Sequence, residues 1–339
     1  DLTAGIEFNQ DKLEDNMWGY HRTVDQKVNI GSAFFQNEWK NEHWGFLIGG
    51  RLDKHNLIDH VIFSPRANLR YNPTENINLR FSYSSGFRAP QAFDEDLHVE
   101  NVGGNVAMVE LADNLKEERS QSLSASADIY HRFGAFQVNF LVEGFYTKLS
   151  DVFALTDGET VDGILTRTRY NAPGARVMGL TLEGKMAYLT KFQLQAGVTL
   201  QQSHYSEPHV WNPDAPAVKK MMRTPNTYGY FTATYTPIKP LSIALSGTYT
   251  GSMLVPHEPV PGFLENPITV NTKDFFDIGL KAAYDFKLYK SMNLQVNAGI
   301  QNIFNAYQND FDKGADRDSG YIYGPSLPRS FFAGVKISY

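Results

Sequence analysis

Apolar and polar side chains alternate along many stretches of this chain. In the clearest stretch, Met292, Leu294, Val296, Ala298 and Ile300 are separated by amide or glycine residues. Side chains alternate between the two faces of a strand, so this pattern predicts a β-strand with one apolar and one polar face. The pattern recurs at 77–84, 136–143, 192–201 and 241–249. Helical periodicity does not compete with it, and we predict an all-β chain.

Two classes of connection separate the predicted strands. Short turns are predicted at 41–43, 72–76, 133–134, 190–191, 237–240 and 288–290. Longer polar stretches alternate with them, at 10–26, 53–60, 86–118, 153–163, 206–224, 251–272 and 306–328. Bacterial outer-membrane barrels show this asymmetry, with short periplasmic turns and longer extracellular loops.

The sequence therefore predicts an antiparallel up-and-down transmembrane β-barrel with about 14 strands present. This count treats Leu165–Leu189 as one long strand with an irregularity at Ala172–Gly174, and it ends with Ser330–Tyr339. A water-soluble β-sandwich or solenoid with uneven loops is the alternative.

Composition agrees with a membrane barrel and excludes other classes. The mean hydropathy of -0.36 looks soluble, but only every second residue of a barrel strand faces lipid. Aromatic residues make up 13% of the chain, which interfacial girdles would explain. Cysteine is absent, which excludes disulfides and thiolate chemistry, and the net charge of -6 gives no basic tract for nucleic acid. The chain opens at Asp1 without a signal-peptide pattern, so we expect a cut end there.

Several segments at predicted strand edges resemble signatures of TonB-dependent receptors. They are Ser85–Pro90 (Ser-Gly-Phe-Arg-Ala-Pro), Asn114–Glu118 (Asn-Leu-Lys-Glu-Glu), Gly179–Glu183 (Gly-Leu-Thr-Leu-Glu), Asn302–Asn305 (Asn-Ile-Phe-Asn) and Pro328-Arg329 before an aromatic-ended last strand. Glu117 departs from the family pattern, which usually has proline there. The loop at 93–98 is similar to Bacteroidota members.

The resemblance implies a C-terminal part of a receptor barrel with about 22 strands around a plugged lumen. About eight strands and the N-terminal plug would then have no candidate in residues 1–339. Either another chain supplies those strands, or this piece closes into a smaller barrel, or it folds outside its natural state.

The implied function is energy-coupled uptake across the outer membrane of a scarce large solute, a ferric siderophore or haem first and cobalamin second. The implied partners are the plug, the missing strands, the TonB–ExbB–ExbD complex, the lipid bilayer with its lipopolysaccharide, and a small-molecule metal chelate. A passive porin and a structural or adhesive barrel are the rival functions. No catalytic motif is present, so we predict neither an enzyme nor a resident cofactor.

Candidate site residues fall on the outer loops and on the lumen face. His98, His209, Trp211 and His257 are candidates for substrate binding, since imidazole binds iron and aromatic rings contact flat ligands, although loops are simply the most polar segments. The candidates that face the plug through the lumen are Arg66, Arg70, Arg80, Glu143, Glu183 and Lys185. Four carboxylates within 309–318 raise the possibility of Ca²⁺, but their spacing does not match a calcium loop, and we favour a solvated acidic loop without metal.

Overall fold

The computed structural model describes residues 1–20, 22–90, 106–161, 164–289, 291–325 and 327–339. These residues form 20 strands and one short 3₁₀ turn, η1, at Trp18–Tyr20. The strands are β1 Leu2–Met17, β2 Arg22–Lys40, β3 Trp44–His55, β4 Ile62–Thr74, β5 Ile77–Arg88, β6 Val106–Leu111, β7 Glu118–Phe133, β8 Phe136–Ser150, β9 Val152–Val161, β10 Ile164–Ala172, β11 Ala175–Tyr188, β12 Phe192–His209, β13 Val218–Lys220, β14 Thr227–Ile238, β15 Leu241–Thr250, β16 Leu254–His257, β17 Ile268–Asn271, β18 Phe275–Tyr289, β19 Met292–Gln301 and β20 Ser330–Ser338.

Fourteen of these strands form one continuous antiparallel path. Its order is β1-β2-β3-β4-β5-β7-β8-β11-β12-β14-β15-β18-β19-β20, and β13 pairs with β12 beside it. The strands of this path are paired in the order in which they occur along the chain. Short turns connect them at one end of the sheet, and the longer connections lie at the other end. The 14 strands of this path equal the predicted number. The predicted turns lie at junctions between consecutive path strands, but β4, β14 and β18 extend to Thr74, Ile238 and Tyr289, so the turns predicted at 72–76, 237–240 and 288–290 begin too early.

The pairing register keeps polar side chains of neighbouring strands on the same face of the sheet. Glu143, for example, lies opposite Ser126 on β7 and Thr181 on β11. Thr181 in turn lies opposite Thr199, and Thr199 lies opposite Tyr228. A shift of one residue in any pair would move polar side chains to the other face. The alternation in the sequence therefore specifies the register from strand to strand.

The other face is apolar and exposed. Phe81 is 50% exposed, Phe140 47% and Val335 67%, although all three lie within regular strands. Only nine apolar residues within the described ranges are buried, far too few for the packed core of a soluble chain of this length. No described helix is long and apolar enough to cross a membrane. The apolar stripes do not pack on one another, which removes the β-sandwich alternative.

One strand prediction is wrong. Leu165–Leu189 is not a single strand, because β10 ends at Ala172 and β11 begins at Ala175. β10 leaves the main sheet and pairs antiparallel with β9 and parallel with β6, in a separate three-stranded sheet. The predicted loop at 153–163 therefore extends to 151–174 and carries its own strands.

Two other long connections also differ from the prediction. The first is shorter than 10–26, because β1 extends to Met17 and β2 starts at Arg22. The connection at 251–274 contains a hairpin in which β16 pairs with β17. Within the described residues, β1 and β20 are the ends of the path and do not pair with each other, so no closed barrel is seen.

Candidate functional site

A cavity of about 370 Å³ opens among the long connections. Its lining joins the loop end of the main sheet to the separate sheet of β6, β9 and β10. It is lined by Arg88, Val152, Phe153, Ala154, Leu155, Arg167, Arg169, Ala172, Pro173, Tyr205, His209, Trp211, Met221 and Glu258. Two predicted substrate-binding residues, His209 and Trp211, therefore lie at one site.

Three arginines line this cavity. Arg167 and Arg169 are two residues apart on β10, so both side chains leave the same face of that strand. Arg88 ends β5 and belongs to the segment that resembles the receptor signature. Among the described lining residues Glu258 is the one carboxylate, so those residues together carry an excess of positive charge.

An aromatic ring lies between two of these cations. The Cζ atoms of Arg88 and Arg169 lie 5.5 and 5.7 Å from the centroid of the Phe153 ring. Arginine over a ring face is attracted to the π electrons, and burial strengthens this attraction. Arg169 is only 1% exposed, which fixes its guanidinium. Packing therefore holds Arg169 in place, whereas Arg88 is exposed at the end of β5.

His209 contributes a neutral imidazole. It lies at the far end of the 18-residue strand β12, beyond the 9–11 or so residues that span a membrane. Burial lowers the pKa of His209, because the charged form loses hydration. Its ring lies 4.7 Å from that of Tyr205.

Trp211 and Glu258 complete the wall. The indole Nε1 of Trp211 is buried and has no hydrogen-bond partner within the described part of the chain. A buried unpaired donor costs about 1–3 kcal/mol, which an incoming acceptor would offset. Glu258 accepts a 2.8 Å hydrogen bond from the amide of Asn212. The site therefore offers arginine cations, aromatic faces and, at Trp211 Nε1, a donor without a partner among the described residues.

The other two substrate candidates lie elsewhere. His98 is outside the described residues. His257 is 6% exposed, its Nε2 lies 2.9 Å from Asp312 Oδ2, and its ring stacks on Tyr321 at 3.8 Å between centroids. This placement favours a packing role for His257, which the structure does not bring to the cavity.

His257 belongs to a cluster that joins three long connections. Met253, Val255 and Tyr321 form its buried apolar centre. Arg223 reaches across to donate 2.9 Å to the carbonyl of Ile322. The Tyr323 hydroxyl donates to Asp310 at 2.6 Å, and burial, followed by this bond, raises the pKa of Tyr323 far above its ordinary value.

The sequence predicts a solvated acidic loop at 309–318, but two of its carboxylates make hydrogen bonds within the protein. Asp318 is buried and accepts hydrogen bonds from the backbone N–H groups of Glu258 and Gly320 at 2.9 and 2.8 Å. Asp312 binds His257. Across the described ranges, no group of three or more His, Asp or Glu side chains is arranged to hold a metal ion.

The predicted lumen charges all lie on the polar face. Glu183 pairs with Lys185 at 2.8 Å and accepts a hydrogen bond from the Tyr230 hydroxyl, which also receives one from Gln195 at 2.8 Å. Lys185 lines a polar cavity of about 370 Å³ near the short turns. Glu183, Lys185 and Tyr230 therefore find their partners within the sheet.

Arg66, Arg70 and Arg80 also lie on the polar face but, unlike Glu183 and Lys185, are not in ion pairs with described residues. Arg70 lies directly opposite Arg80, and like charges in that position repel. Arg66 donates to Gln36. Within the described residues none of the three makes an ion pair, and Arg70 Nε is buried without a partner.

The sequence interpretation missed Arg167, Arg169 and Phe153 as site residues. Thr166-Arg167-Thr168-Arg169 alternates with a period of two and places two cations on one strand face, which is the signal that was available. The sequence interpretation placed Phe153 in a loop and both arginines in a long wall strand, so it did not recognise this signal.

The comparisons with known proteins agree with this architecture. The family model described as TonB dependent receptor-like, beta-barrel, matches residues 1–303. No curated protein sequence matches the chain significantly.

Solved structures match nearly the whole chain at low identity. The ferric enterobactin receptor of Pseudomonas aeruginosa aligns with a TM-score of 0.69 at 18% identity, over 98% of this chain and 50% of that one. The siderophore receptor PirA of Acinetobacter baumannii gives 0.68 at 16%, over 98% and 51%. The FrpB iron transporter of Neisseria meningitidis gives 0.65 at 17%, over 98% and 52%.

The chain thus spans about half the length of these solved structures. The family and its solved members are receptors and transporters of the outer membrane, not enzymes. Taken with the 14-strand path and its exposed apolar face, the match over residues 1–303 shows that this chain belongs to the TonB-dependent receptor β-barrel family.

Proposed function

We propose that this chain forms the C-terminal part of the wall and loops of an outer-membrane receptor for an anionic metal chelate, a ferric siderophore first and haem second. The observation that supports this most is the cavity that joins Arg88, Arg167 and Arg169 to Phe153, Tyr205 and Trp211. Guanidinium groups bind carboxylate and catecholate oxygens through charge-assisted hydrogen bonds, and aromatic rings contact flat ligands. The assignment to a Bacteroidota-type member belongs to the same proposal.

Transport in this proposal needs parts beyond the 14 strands. Family membership implies coupling to TonB and a plug domain. Arg66, Arg70 and Arg80 face the lumen without ion pairs among the described residues, so an acidic plug surface would relieve the repulsion of Arg70 and Arg80. The remaining strands would cover the backbone edges of β1 and β20, which are costly in lipid.

Binding to the complete receptor tests the substrate class. A ferric catecholate, a ferric hydroxamate, haem and cyanocobalamin are titrated in detergent, and the dissociation constant is measured for each. Arg167→Gln removes one charged donor, worth about 1.5–3 kcal/mol, and we expect binding of the anionic chelate to weaken by roughly tenfold to a hundredfold. Trp211→Ala is expected to weaken it similarly.

Arg176→Gln is the matched control, because Arg176 is exposed on β11 near the same end of the sheet and does not line the cavity. Equal affinities in wild type and all three variants would remove the site assignment. Uptake of radioactive iron in cells with and without TonB tests the transport. Equal uptake in both would favour a passive porin.

A further inference from the structure

A depression of about 880 Å³ lies in the apolar face of the sheet, away from the ligand cavity. Its floor is the directly opposed pair Ala125 on β7 and Gly144 on β8. Phe81 flanks Ala125 on one side, and Leu180 flanks Gly144 on the other. Four neighbouring strands thus present a large, a small, a small and a large side chain.

The depression is open space rather than a filled gap. A methyl group built on Gly144 would meet no atom within 4 Å. Phe81 and Leu180 stand three strand spacings apart, about 14 Å, which is wider than one extended hydrocarbon chain. Leu123 and Tyr146, another opposed pair, bound the depression toward the long connections.

Its chemistry and its depth point to lipid. None of the described residues that line it has a charged side chain. It is continuous with the exposed apolar face that the receptor would turn to the bilayer. Gly144 lies closer to Ser150, at the loop end of β8, than to Phe136, at the turn end. The depression is therefore in the half of the wall that faces the outer leaflet, if the long connections are extracellular.

We infer that this depression is a specific site for a saturated acyl chain of a lipopolysaccharide molecule, with the Tyr146 hydroxyl near the polar head groups. The inference rests on the proposed placement in the outer membrane. A chain seated in the depression contacts the side of Phe81 or of Leu180 and the backbone beneath it. A chain on the unbroken apolar face contacts side-chain tips only.

The test measures lipopolysaccharide retained by the complete receptor after extraction in mild detergent, as moles of 3-hydroxy fatty acid per mole of protein. Gly144→Leu fills the floor, and we expect the retained amount to fall about tenfold. Ala125→Leu fills the other half and is expected to act in the same direction. Gly184→Leu is the control, because Gly184 lies on the same face of β11, is equally open, and is closer to the turns.

Retention unchanged in both filled variants, or lost equally in Gly184→Leu, would overturn the inference. So would finding a phospholipid or a protein, rather than lipopolysaccharide, as the species lost on filling. The variants are compared only after their far-ultraviolet circular dichroism spectra match that of the wild type, which shows that they are folded.

A second measurement separates this inference from the proposed function. The chain has no cysteine, so Leu200→Cys on the rim of the depression accepts a single nitroxide label. If the label is accessible to oxygen but not to a water-soluble nickel reagent, the wall is in lipid, and lipopolysaccharide retention alone decides the inference. Accessibility to nickel would contradict the membrane placement itself.

Discussion

Glu117 shows how a single residue that departs from the family pattern acquires a local structural role. Its side chain is 4% exposed, and its Oε1 accepts hydrogen bonds from Arg119 Nε at 2.7 Å and from His60 Nε2 at 3.0 Å. Burial acts to raise the pKa of Glu117, but bonds from its own backbone N–H, Arg119 and His60 outweigh burial, and the pKa lies below its ordinary value. The residue clamps the connection at 56–61 to the start of β7.

Glu117→Gln is expected to loosen this clamp, because a neutral amide makes weaker hydrogen bonds to Arg119 and His60 than a carboxylate does. At neutral pH the loss is about 1–3 kcal/mol, measured as a lower midpoint of thermal unfolding. The folded pKa is depressed, so the carboxylate stabilises the protein above the ordinary pKa near 4.5, and this contribution is lost as the pH falls through the folded pKa. The variant and the wild type should therefore converge in acid.

Glu75→Gln is the control for this prediction, since Glu75 is exposed in the turn between β4 and β5. A difference between Glu117→Gln and the wild type that stays constant down to acid pH would contradict the role of the charge. A residue of this kind is invisible in the sequence, because its two partners lie 57 residues upstream and two residues downstream.

Individual elements show where sequence patterns succeed and where they fail. β19, Met292–Gln301, coincides with the clearest alternating stretch of the sequence, because local alternation specifies both of its faces. β10 alternates just as regularly, yet it pairs with β6 and β9 outside the wall. Alternation predicts that a segment is a strand but contains no information about its partner. The ligand cavity depends on that partner choice, so only His209, the last residue of β12, and Trp211, two residues beyond it, were predicted.

Gly174 marks the place where β10 separates from β11. A methyl group there would lie 2.0 Å from the backbone oxygen of Leu149. We expect Gly174→Ala to lower stability by about 1–3 kcal/mol, since backbone on both sides must shift. The measurement is the midpoint of thermal unfolding in detergent, with Gly184→Ala, within β11, as the control. Equal midpoints for the two variants would show that the separation of the strands does not need glycine.

The whole molecule depends on the opposite environments of its two faces. Val296 is 42% exposed on the apolar face of β19, and its neighbour Asn297 lies opposite Gly334 on the polar face. The number of wall strands followed from this alternation and from the regular spacing of turns. The strands that would close the barrel and the groups that fill the lumen could not be predicted, because the alternation within these 14 strands contains no information about what lies beside β1, beside β20 or inside the lumen.

A labelling experiment checks these environments directly. Val296→Cys and Asn297→Cys are each labelled with a fluorophore in the complete receptor, reconstituted in bilayers. Brominated lipids should quench the label at Val296 and leave the label at Asn297 bright, because adjacent strand residues point to opposite faces. Similar quenching at both positions would exclude a membrane wall built from this sheet.

The three-stranded sheet of β6, β9 and β10 shares no hydrogen-bonded ladder with the wall among the described residues. Its strands come from two connections, one with β6 and one with β9 and β10, which lie on either side of the wall strands β7 and β8 along the chain. Substitutions in these two connections could therefore change the sheet without altering β7 and β8. New arginine pairs would then arrive already placed over the cavity. The charge of the cavity lining could change in this way while the pairing of the wall strands stays the same.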